Sequence, residues 1–232
     1  MQAIILAGGF GTRLRSVIAD VPKPMAPIHQ KPFLAYLLDY LKSQGITDVV
    51  LSVHYLRDQI QDYFGDNYRG VSVSYAIEEN ALGTGGAIAY ALKSIASSEP
   101  LFVLNGDTFL KLNYQAMYAQ HQKNSPLITM ALRKIADCSR YGTVEVKDNC
   151  VVGFKDQGGV HAGLINAGVY CLNPKIFENF SMPTQFSIEK DFLFPNAAAL
   201  KPEAFIVDDY FIDIGIPEDY ARAVDELASV TK

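Results

Sequence analysis

The sequence predicts an α/β fold built on a mostly parallel mixed sheet flanked by helices. Short apolar runs alternate with helically spaced apolar residues along the first half, and these runs end in glycines or polar residues. Hydrophobic residues make up 49% of the 232 residues and charged residues only 19%, which is enough apolar material for a large core. We therefore expect one domain spanning residues 1–232.

The elements of the first half follow in alternation. Apolar residues 3–7 predict a buried strand that runs into glycines at residues 8, 9 and 11. Helical spacing predicts helices within residues 32–45, where Gly45 stops the helix, and within residues 57–64. Strands are predicted at residues 48–53 and 71–77, so the pattern indicates βαβ units.

Polar residues follow a later strand as well. A glycine cluster at residues 83–86 opens a predicted helix through Ile95, and the strand at residues 101–104 leads to Asp107. Ligands of open α/β sheets bind beyond the carboxyl ends of strands, so we expect the chemistry at these turns. The second half is less regular, with strands predicted at residues 127–132, 143–146, 166–171 and 211–214.

The charge and the termini exclude several classes of function. A formal net charge of -5 gives no support for general binding to nucleic acid or anionic membranes. The sequence has no basic region before its first apolar run and no stretch of the roughly 20 apolar residues that a membrane span needs. Three cysteines without Cys-x-x-Cys spacing fit a reducing compartment, so a cytoplasmic protein is expected.

The first glycine turn has the chemistry of a phosphate loop. It reads GGFGTRL at residues 8–14, and the two cations Arg13 and Lys23 flank it. Backbone N–H groups exposed by glycines bind anionic phosphates, and the cations can neutralise them. An ordinary strand-to-helix turn with surface cations is the alternative. A Walker loop is excluded because no Gly-Lys-Ser or Gly-Lys-Thr occurs, and Leu14 stands where a dinucleotide fingerprint has its third glycine.

This string resembles the signature of the sugar-1-phosphate nucleotidylyltransferases. The resemblance continues through EENALGTGG (78–86), NGDT (105–108), YG (141–142), NAGVY (166–170) and DIG (213–215). Within the family the chain is most similar to the D-glycero-α-D-manno-heptose 1-phosphate guanylyltransferases. The resemblance implies a Rossmann-like sheet, with an NTP-binding part at about residues 1–110 and a sugar-phosphate-binding part at about residues 111–232.

The resemblance also implies roles for individual residues. Arg13 and Lys23 would be catalytic together with Asp107 and Asp213, which would hold Mg²⁺, a hard cation that prefers oxygen ligands. Either aspartate alone could equally be a turn or cap residue. The nucleotide would contact Leu6, Ala7, Gly8, Gly9, Gly11, Thr12, Arg13, Lys23, Glu78, Gly83 and Thr84.

The sugar phosphate would contact residues of the second half. These are Tyr141, Gly142, Lys155, Asn166, Gly168 and Glu189. Without the resemblance, the Tyr-Gly and Asn-Ala-Gly segments would be simple turns at strand starts, and an exposed helical glutamate is the alternative for Glu189. The chain departs from its relatives where many carry a Glu-Lys pair, because the aligned residues here are Asp156 and Gln157. Lys155 is the candidate to replace the missing lysine, and Lys190 is the second candidate.

Glu78 favours GTP as the nucleotide substrate. Guanine presents two adjacent donors that a carboxylate can accept, whereas uracil and thymine present one donor between two acceptors. Glu79 could take the place of Glu78, and a strand-end glutamate facing water is the alternative. The expected substrates are GTP and D-glycero-α-D-manno-heptose 1-phosphate. A mannose-1-phosphate guanylyltransferase, a uridylyltransferase of another sugar 1-phosphate and a non-catalytic nucleotide-sugar sensor are the rival interpretations.

Overall fold

The computed structural model describes residues 1–9, 11, 14, 18, 20–155 and 161–231. The strands are β1 (Gln2–Leu6), β2 (Pro27–Ile28), β3 (Lys31–Pro32), β4 (Asp48–Val53), β5 (Asn67–Tyr68), β6 (Val71–Ile77), β7 (Leu101–Asn105), β8 (Thr108–Leu110), β9 (Ile128–Ile135), β10 (Thr143–Lys147), β11 (Cys150–Lys155), β12 (Gly163–Leu172), β13 (Glu203–Val207) and β14 (Phe211–Asp213). The α-helices are α1 (Phe33–Ser43), α2 (Arg57–Phe64), α3 (Gly83–Leu92), α4 (Tyr114–Asn124), α5 (Phe194–Leu200) and α6 (Pro217–Val230). A 3₁₀ turn covers Lys23–Met25, and a π-helical segment covers Ile188–Leu193.

The chain folds as two compact units, each assembled from separate segments. The first unit contains Met1–Ala81, Leu104–Lys111 and Tyr210–Lys232. The second contains Leu82–Val103 and Leu112–Asp209. The assignment of NTP binding to residues 1–110 and of sugar-phosphate binding to residues 111–232 stays a prediction.

The first unit has the predicted βαβ organisation. β1 pairs in parallel with β4, and β4 pairs in parallel with β6, while the short β5 adds an antiparallel edge. Helix α1 buries a face of apolar side chains that includes Phe33, Leu37 and Leu41, and each stabilises the fold by roughly 1.5–3 kcal/mol when fully buried. Gly45 follows α1 with φ +83°, a left-handed conformation that ends the helix as expected.

The second unit contains a mixed sheet in the order β10-β11-β13-β9-β12. β9 is antiparallel to β12 and parallel to β13. β10 and β11 form a hairpin whose two turn residues, Asp148 and Asn149, have φ values of 49° and 61°, as a type I′ turn requires. The sequence pattern does not predict β11, β13 or α4.

One predicted element ends earlier than expected. The helix that opens at Gly83 stops at Leu92 rather than Ile95. The N–H groups of Ser94 and Ile95 donate to carbonyls three residues back, at 3.0 and 3.1 Å, so the chain tightens into turns there. No helix within the described ranges is long and apolar enough to cross a membrane.

Candidate active site

Two aspartates of the first unit are held close together by backbone hydrogen bonds. Asp107 lies between β7 and β8, and Asp213 ends β14, where it pairs with Thr108 of β8. The N–H of Ile214 donates to the carbonyl of Asp107 at 3.0 Å. Gly106 donates to the carbonyl of Leu6 at 2.9 Å, and a Cβ at Gly106 would lie only 2.7 Å from that oxygen. A glycine is therefore needed for Asp107 to follow β7 at this position.

Lys23 joins the two aspartates, and the three residues are called the charged cluster below. The Lys23 Nζ lies 2.5 Å from Oδ2 of Asp107 and 3.4 Å from Oδ1 of Asp213. The Lys23 side chain is only 11% exposed, so water screens these charges poorly. Burial and the negative charge of Asp107 raise the pKa of Asp213, although Lys23 and the N–H of Gly215 oppose this.

The two carboxylates supply suitable ligands for a divalent metal ion, but too few to hold it alone. Carboxylate oxygens are the hard ligands that Mg²⁺ prefers, and both carboxylates lie in one small region. Over the part of the chain that the structure describes, no group of three or more His, Cys, Asp or Glu residues could hold a metal ion. A metal held here would therefore depend on oxygen atoms of a bound ligand, as Mg²⁺ does when it bridges protein and phosphates.

The first glycine turn packs against this unit with little spare room at two of its positions. A Cβ at Gly8 would lie 3.2 Å from Cβ of His54 and 3.3 Å from Oε1 of Glu78. Gly11 has φ +58°, and a Cβ there would lie 3.1 Å from Cβ of Lys23. Among the described residues, a Cβ at Gly9 would meet nothing within 4 Å. Packing against these residues therefore does not require a glycine at this position.

Of the other residues predicted to contact the nucleotide, two form backbone hydrogen bonds with neighbouring segments, and two lie outside the described residues. The carbonyl of Leu6 accepts from Gly106, and the N–H of Ala7 donates to the carbonyl of Ser52 at 2.8 Å. Thr12 and Arg13 lie outside the described residues.

Glu78 is a buried carboxylate that follows β6. Only 6% of the residue is exposed, and the hydroxyl of Ser52 donates to Oε1 at 2.7 Å. The Nδ1 of His54 lies 2.9 Å from the backbone carbonyl of Glu78, so the ring donates from this nitrogen. The strand-end glutamate facing water is therefore not what the structure contains.

The second glycine turn lies in the second unit and is held by the segment 184–188. Gly85 and Gly86 donate to the carbonyl of Phe186 at 2.9 and 3.3 Å. Gly83 has φ +71°, and a Cβ there would lie 2.6 Å from that carbonyl. The hydroxyl of Thr84 accepts from the N–H of Ile188 at 3.0 Å. These contacts explain the residue types by packing, and nucleotide contact by Gly83 and Thr84 stays a prediction.

Three predicted sugar-site residues meet in the second unit. Asn166 donates from Nδ2 to Oε1 of Glu189 at 2.5 Å, and its Oδ1 accepts from the N–H of Gly168 at 3.1 Å. Tyr170 completes this polar cluster, with its hydroxyl 2.6 Å from Nδ2 of Asn166. Burial raises the pKa of Glu189, while the hydrogen bonds from Tyr170 and Asn166 and the charge of Lys190 oppose this.

The remaining sugar-site candidates lie on or beside the β10–β11 hairpin. A Cβ at Gly142 would lie 3.0 Å from the carbonyl of Lys155, so this glycine permits a close backbone approach. The N–H of Tyr141 donates to the carbonyl of Cys138 at 2.9 Å. Lys155 has a 65% exposed side chain and pairs with Glu145 at 2.5 Å. Asp156 and Gln157, which stand where many relatives have a Glu-Lys pair, are outside the described part of the chain.

Comparison with known protein families identifies the family of this chain. The family model for Nucleotidyl transferase matches residues 2–230. The chain belongs to this family. Nucleotidyl transferases generally use a divalent metal ion.

Curated relatives of this nucleotidyl transferase include two bacterial proteins matched over nearly their full length. The chain is 47% identical to the D-glycero-alpha-D-manno-heptose 1-phosphate guanylyltransferase of Aneurinibacillus thermoaerophilus, over 98% of each chain. It is 48% identical to the protein of the same name from Campylobacter jejuni, over 95% of this chain and 97% of the relative. A probable mannose-1-phosphate guanylyltransferase of rice is 35% identical over 95% of this chain but only 63% of the relative.

A solved structure of similar size has the same fold. HddC from Yersinia pseudotuberculosis is 40% identical, with a TM-score of 0.87 over 97% of this chain and 98% of that chain. A second structure of HddC, complexed with GMP-PN, has a TM-score of 0.86. The predicted α/β fold and the predicted family are thus confirmed.

Two residues that contact candidate site residues of this nucleotidyl transferase were not predicted from the sequence. Ser52 holds the carboxylate of Glu78, and its position inside the predicted strand at residues 48–53 indicated only that it is buried. Tyr170 belongs to the quoted NAGVY string, but only the structure brings its hydroxyl to Asn166 and Glu189.

Proposed function

We propose that this enzyme transfers a guanylyl group from GTP to D-glycero-α-D-manno-heptose 1-phosphate, giving GDP-heptose and pyrophosphate. The observation that carries the reaction class is the charged cluster, in which one lysine and two aspartates converge beside a glycine turn. Near-full-length identity to two heptose 1-phosphate guanylyltransferases supports the substrates.

Two features support guanine as the base. A protein of the same fold and 40% identity has been solved with GMP-PN. Glu78 offers a carboxylate held in place by Ser52, and a carboxylate can accept from both N1–H and N2–H₂ of guanine. We propose Glu78 as the residue that reads the base.

The reaction needs no nucleophile from the protein. An oxygen of the sugar 1-phosphate attacks the α-phosphorus of GTP, the bond from that phosphorus to the bridging oxygen breaks, and pyrophosphate leaves. Because the attacking phosphate is already ionised, catalysis consists of positioning and charge neutralisation. Lys23 and Arg13 supply positive charge, and the N–H groups of the first glycine turn bind phosphate oxygens.

Asp107 and Asp213 would hold Mg²⁺, for which their carboxylate oxygens are suitable ligands. When bound, Mg²⁺ neutralises phosphate oxygens and so lowers the repulsion between two anionic substrates. The two aspartates also hold Lys23 in place through its ion pairs. The sugar 1-phosphate would be bound by Tyr141, Gly142, Lys155, Asn166, Gly168 and Glu189. The cytoplasm is the proposed location, which the free thiols of Cys138, Cys150 and Cys171 support.

The test is a grid of pyrophosphate-release assays. GTP, UTP, dTTP, CTP and ATP are each combined with the 1-phosphates of heptose, mannose, glucose and an N-acetylated sugar, with Mg²⁺ present or chelated. We expect GTP with D-glycero-α-D-manno-heptose 1-phosphate to give the highest kcat/KM, and activity to be lost in chelator.

Each rival function gives a different result in this grid. Highest activity with GTP and mannose 1-phosphate would identify a mannose-1-phosphate guanylyltransferase, and highest activity with UTP a uridylyltransferase. Binding of a GDP-sugar without pyrophosphate release from any pair would indicate a non-catalytic sensor. Any of these outcomes overturns the heptose guanylyltransferase proposal.

A further inference from the structure

The amide of Asn166 is fully used inside the protein. Its Oδ1 accepts from the N–H of Gly168 at 3.1 Å. Its Nδ2 donates to the hydroxyl of Tyr170 at 2.6 Å and to Oε1 of Glu189 at 2.5 Å. An amide nitrogen has two hydrogens, and these two acceptors use both of them. Asn166 therefore holds other side chains and has no donor left for a ligand.

The hydroxyl of Tyr170 links Asn166 to Glu189. Tyr170 is 1% exposed, so its ring position is set by packing. Burial, followed by the negative charge of Glu189, raises the pKa of Tyr170 well above its ordinary value. The hydroxyl therefore keeps its proton, accepts from Asn166 and donates to Oε1 of Glu189 at 3.3 Å.

The backbone brings these side chains to one place. β12 shifts its register between Asn166 and Tyr170, and Gly168 within this shift has φ +67°. On the other side, the N–H of Ser187 donates to Asp191 at 2.7 Å, and the hydroxyl of Ser187 accepts from the N–H of Lys190 at 3.2 Å. Hydrogen bonds therefore fix the backbone on both sides of Glu189.

The hydrogen bonds to Glu189 are all on one oxygen. Both Asn166 and Tyr170 donate to Oε1, and no side chain or backbone group within the described ranges donates to Oε2. Glu189 is partly exposed and its Oε2 is not a buried atom, so water can reach this oxygen and a donor of a bound ligand can replace that water. Sugar hydroxyls are donors of the required kind, and their directions differ between sugars.

We propose that Tyr170 is a positioning residue for the sugar 1-phosphate: with Asn166 it holds Oε1 of Glu189, and Oε2 accepts from a sugar hydroxyl. This inference rests on the proposed sugar-nucleotidyl transfer. It changes the expected role of Asn166, which acts through Glu189 rather than by its own contact with the sugar.

The first test replaces Tyr170 by phenylalanine, which removes one oxygen and keeps the buried ring. Initial rates are measured with the sugar 1-phosphate that the parent uses best, so that a different sugar would contradict the proposed function and still test Tyr170. Tyr170→Phe is expected to raise the KM for the sugar 1-phosphate about 5- to 20-fold, with the KM for NTP and kcat within about 2-fold.

A matched control separates this effect from packing. Tyr114 is also fully buried in the second unit and packs against Phe102. Tyr114→Phe is expected to leave both KM values within about 2-fold of the parent. An equal rise in both KM values in Tyr170→Phe, or an unchanged KM for the sugar, would overturn the proposal.

A double variant tests whether Tyr170 acts through Glu189. If it does, adding Tyr170→Phe to Glu189→Gln raises the sugar KM by less than about 2-fold further, because the held carboxylate is already gone. Effects that multiply would overturn the proposal. Should Tyr170→Phe lower the thermal midpoint enough to prevent assay, Asn166→Asp is the second variant. It places a negative charge against Oε1 and must raise the sugar KM selectively, or the proposal fails.

Discussion

The charged cluster and the polar cluster hold their carboxylates by different means. In the charged cluster, a nearly buried ammonium pairs with two carboxylates that backbone hydrogen bonds bring together. In the polar cluster, one carboxylate is held by two neutral donors on a single oxygen. The first arrangement suits ligands with large charge, and the second suits ligands distinguished by the direction of a hydroxyl. If the proposed sites are right, phosphate binding in this protein depends on charge and sugar recognition on the direction of a hydrogen bond.

Removing charge from the charged cluster should have the largest effect. Asp107→Asn and Asp213→Asn each keep the side-chain shape, so we expect the fold to be retained and kcat to fall by about 10³-fold. Excess Mg²⁺ should rescue neither variant fully. Pyrophosphate release and the thermal midpoint are the measurements.

Asp58→Asn is the matched control for these two variants. The Asp58 side chain is 88% exposed and lies in the same unit, so we expect its rates to equal those of the parent. Normal turnover in either aspartate variant, or full activity of the parent in excess chelator, would contradict the metal assignment.

The lysine of the charged cluster should matter nearly as much. Lys23→Met keeps the length of the side chain but removes the charge beside the phosphates, and we expect kcat to fall about 10²-fold. Steady-state kinetics with both substrates measure this. An effect on the KM for NTP alone, with kcat retained, would mean that Lys23 binds the ground state without stabilising the transition state.

Glu78, the proposed base reader, is a carboxylate like those of the charged cluster, and a neutral hydroxyl holds it as in the polar cluster. Glu78→Gln should lower kcat/KM for GTP about 10- to 100-fold, as expected for losing a charge-assisted hydrogen bond of roughly 1.5–3 kcal/mol. The kcat/KM for UTP should fall much less. Ser52 donates to Oε1 of Glu78, so Ser52→Ala should also weaken the preference for GTP, but by less than Glu78→Gln does. A variant Glu78→Gln with an unchanged preference for GTP would show that another residue reads the base.

The positions of the charged-cluster residues follow simple rules, whereas their joint role was implied only by the resemblance to the family. Asp107 and Asp213 stand at the ends of apolar strands, where ligands of α/β sheets bind, and Lys23 follows a glycine turn. β4, α2 and β6 were predicted from the sequence because their apolar periods are clear.

The polar cluster could not be derived in this way. Asn166 and Tyr170 meet Glu189 only because β12 shifts its register and a π-helical segment presents the glutamate. Neither feature has a period that a sequence pattern reveals. β11 and β13 were missed although most of their residues are apolar, because runs of five or six residues are too short to show a clear period. α4 was missed because only three of its residues are buried. Resemblance to relatives alone pointed to Asn166 and Glu189.

The smallest predicted effect concerns the lysine that would replace the one missing at Gln157. Lys155 is exposed and already paired with Glu145 at 2.5 Å, and exposed ion pairs contribute about 0.2–1 kcal/mol. If Lys155 binds the sugar phosphate, Lys155→Ala should raise the KM for the sugar 1-phosphate only about 2- to 5-fold and leave the KM for NTP unchanged. Glu145→Gln should have the opposite sign, because it releases Lys155 from a competing carboxylate and lowers the same KM. Initial rates at varied sugar 1-phosphate and low salt measure both. A selective rise in KM in Lys190→Ala, with Lys155→Ala and Glu145→Gln both equal to the parent, would assign the role to Lys190 instead.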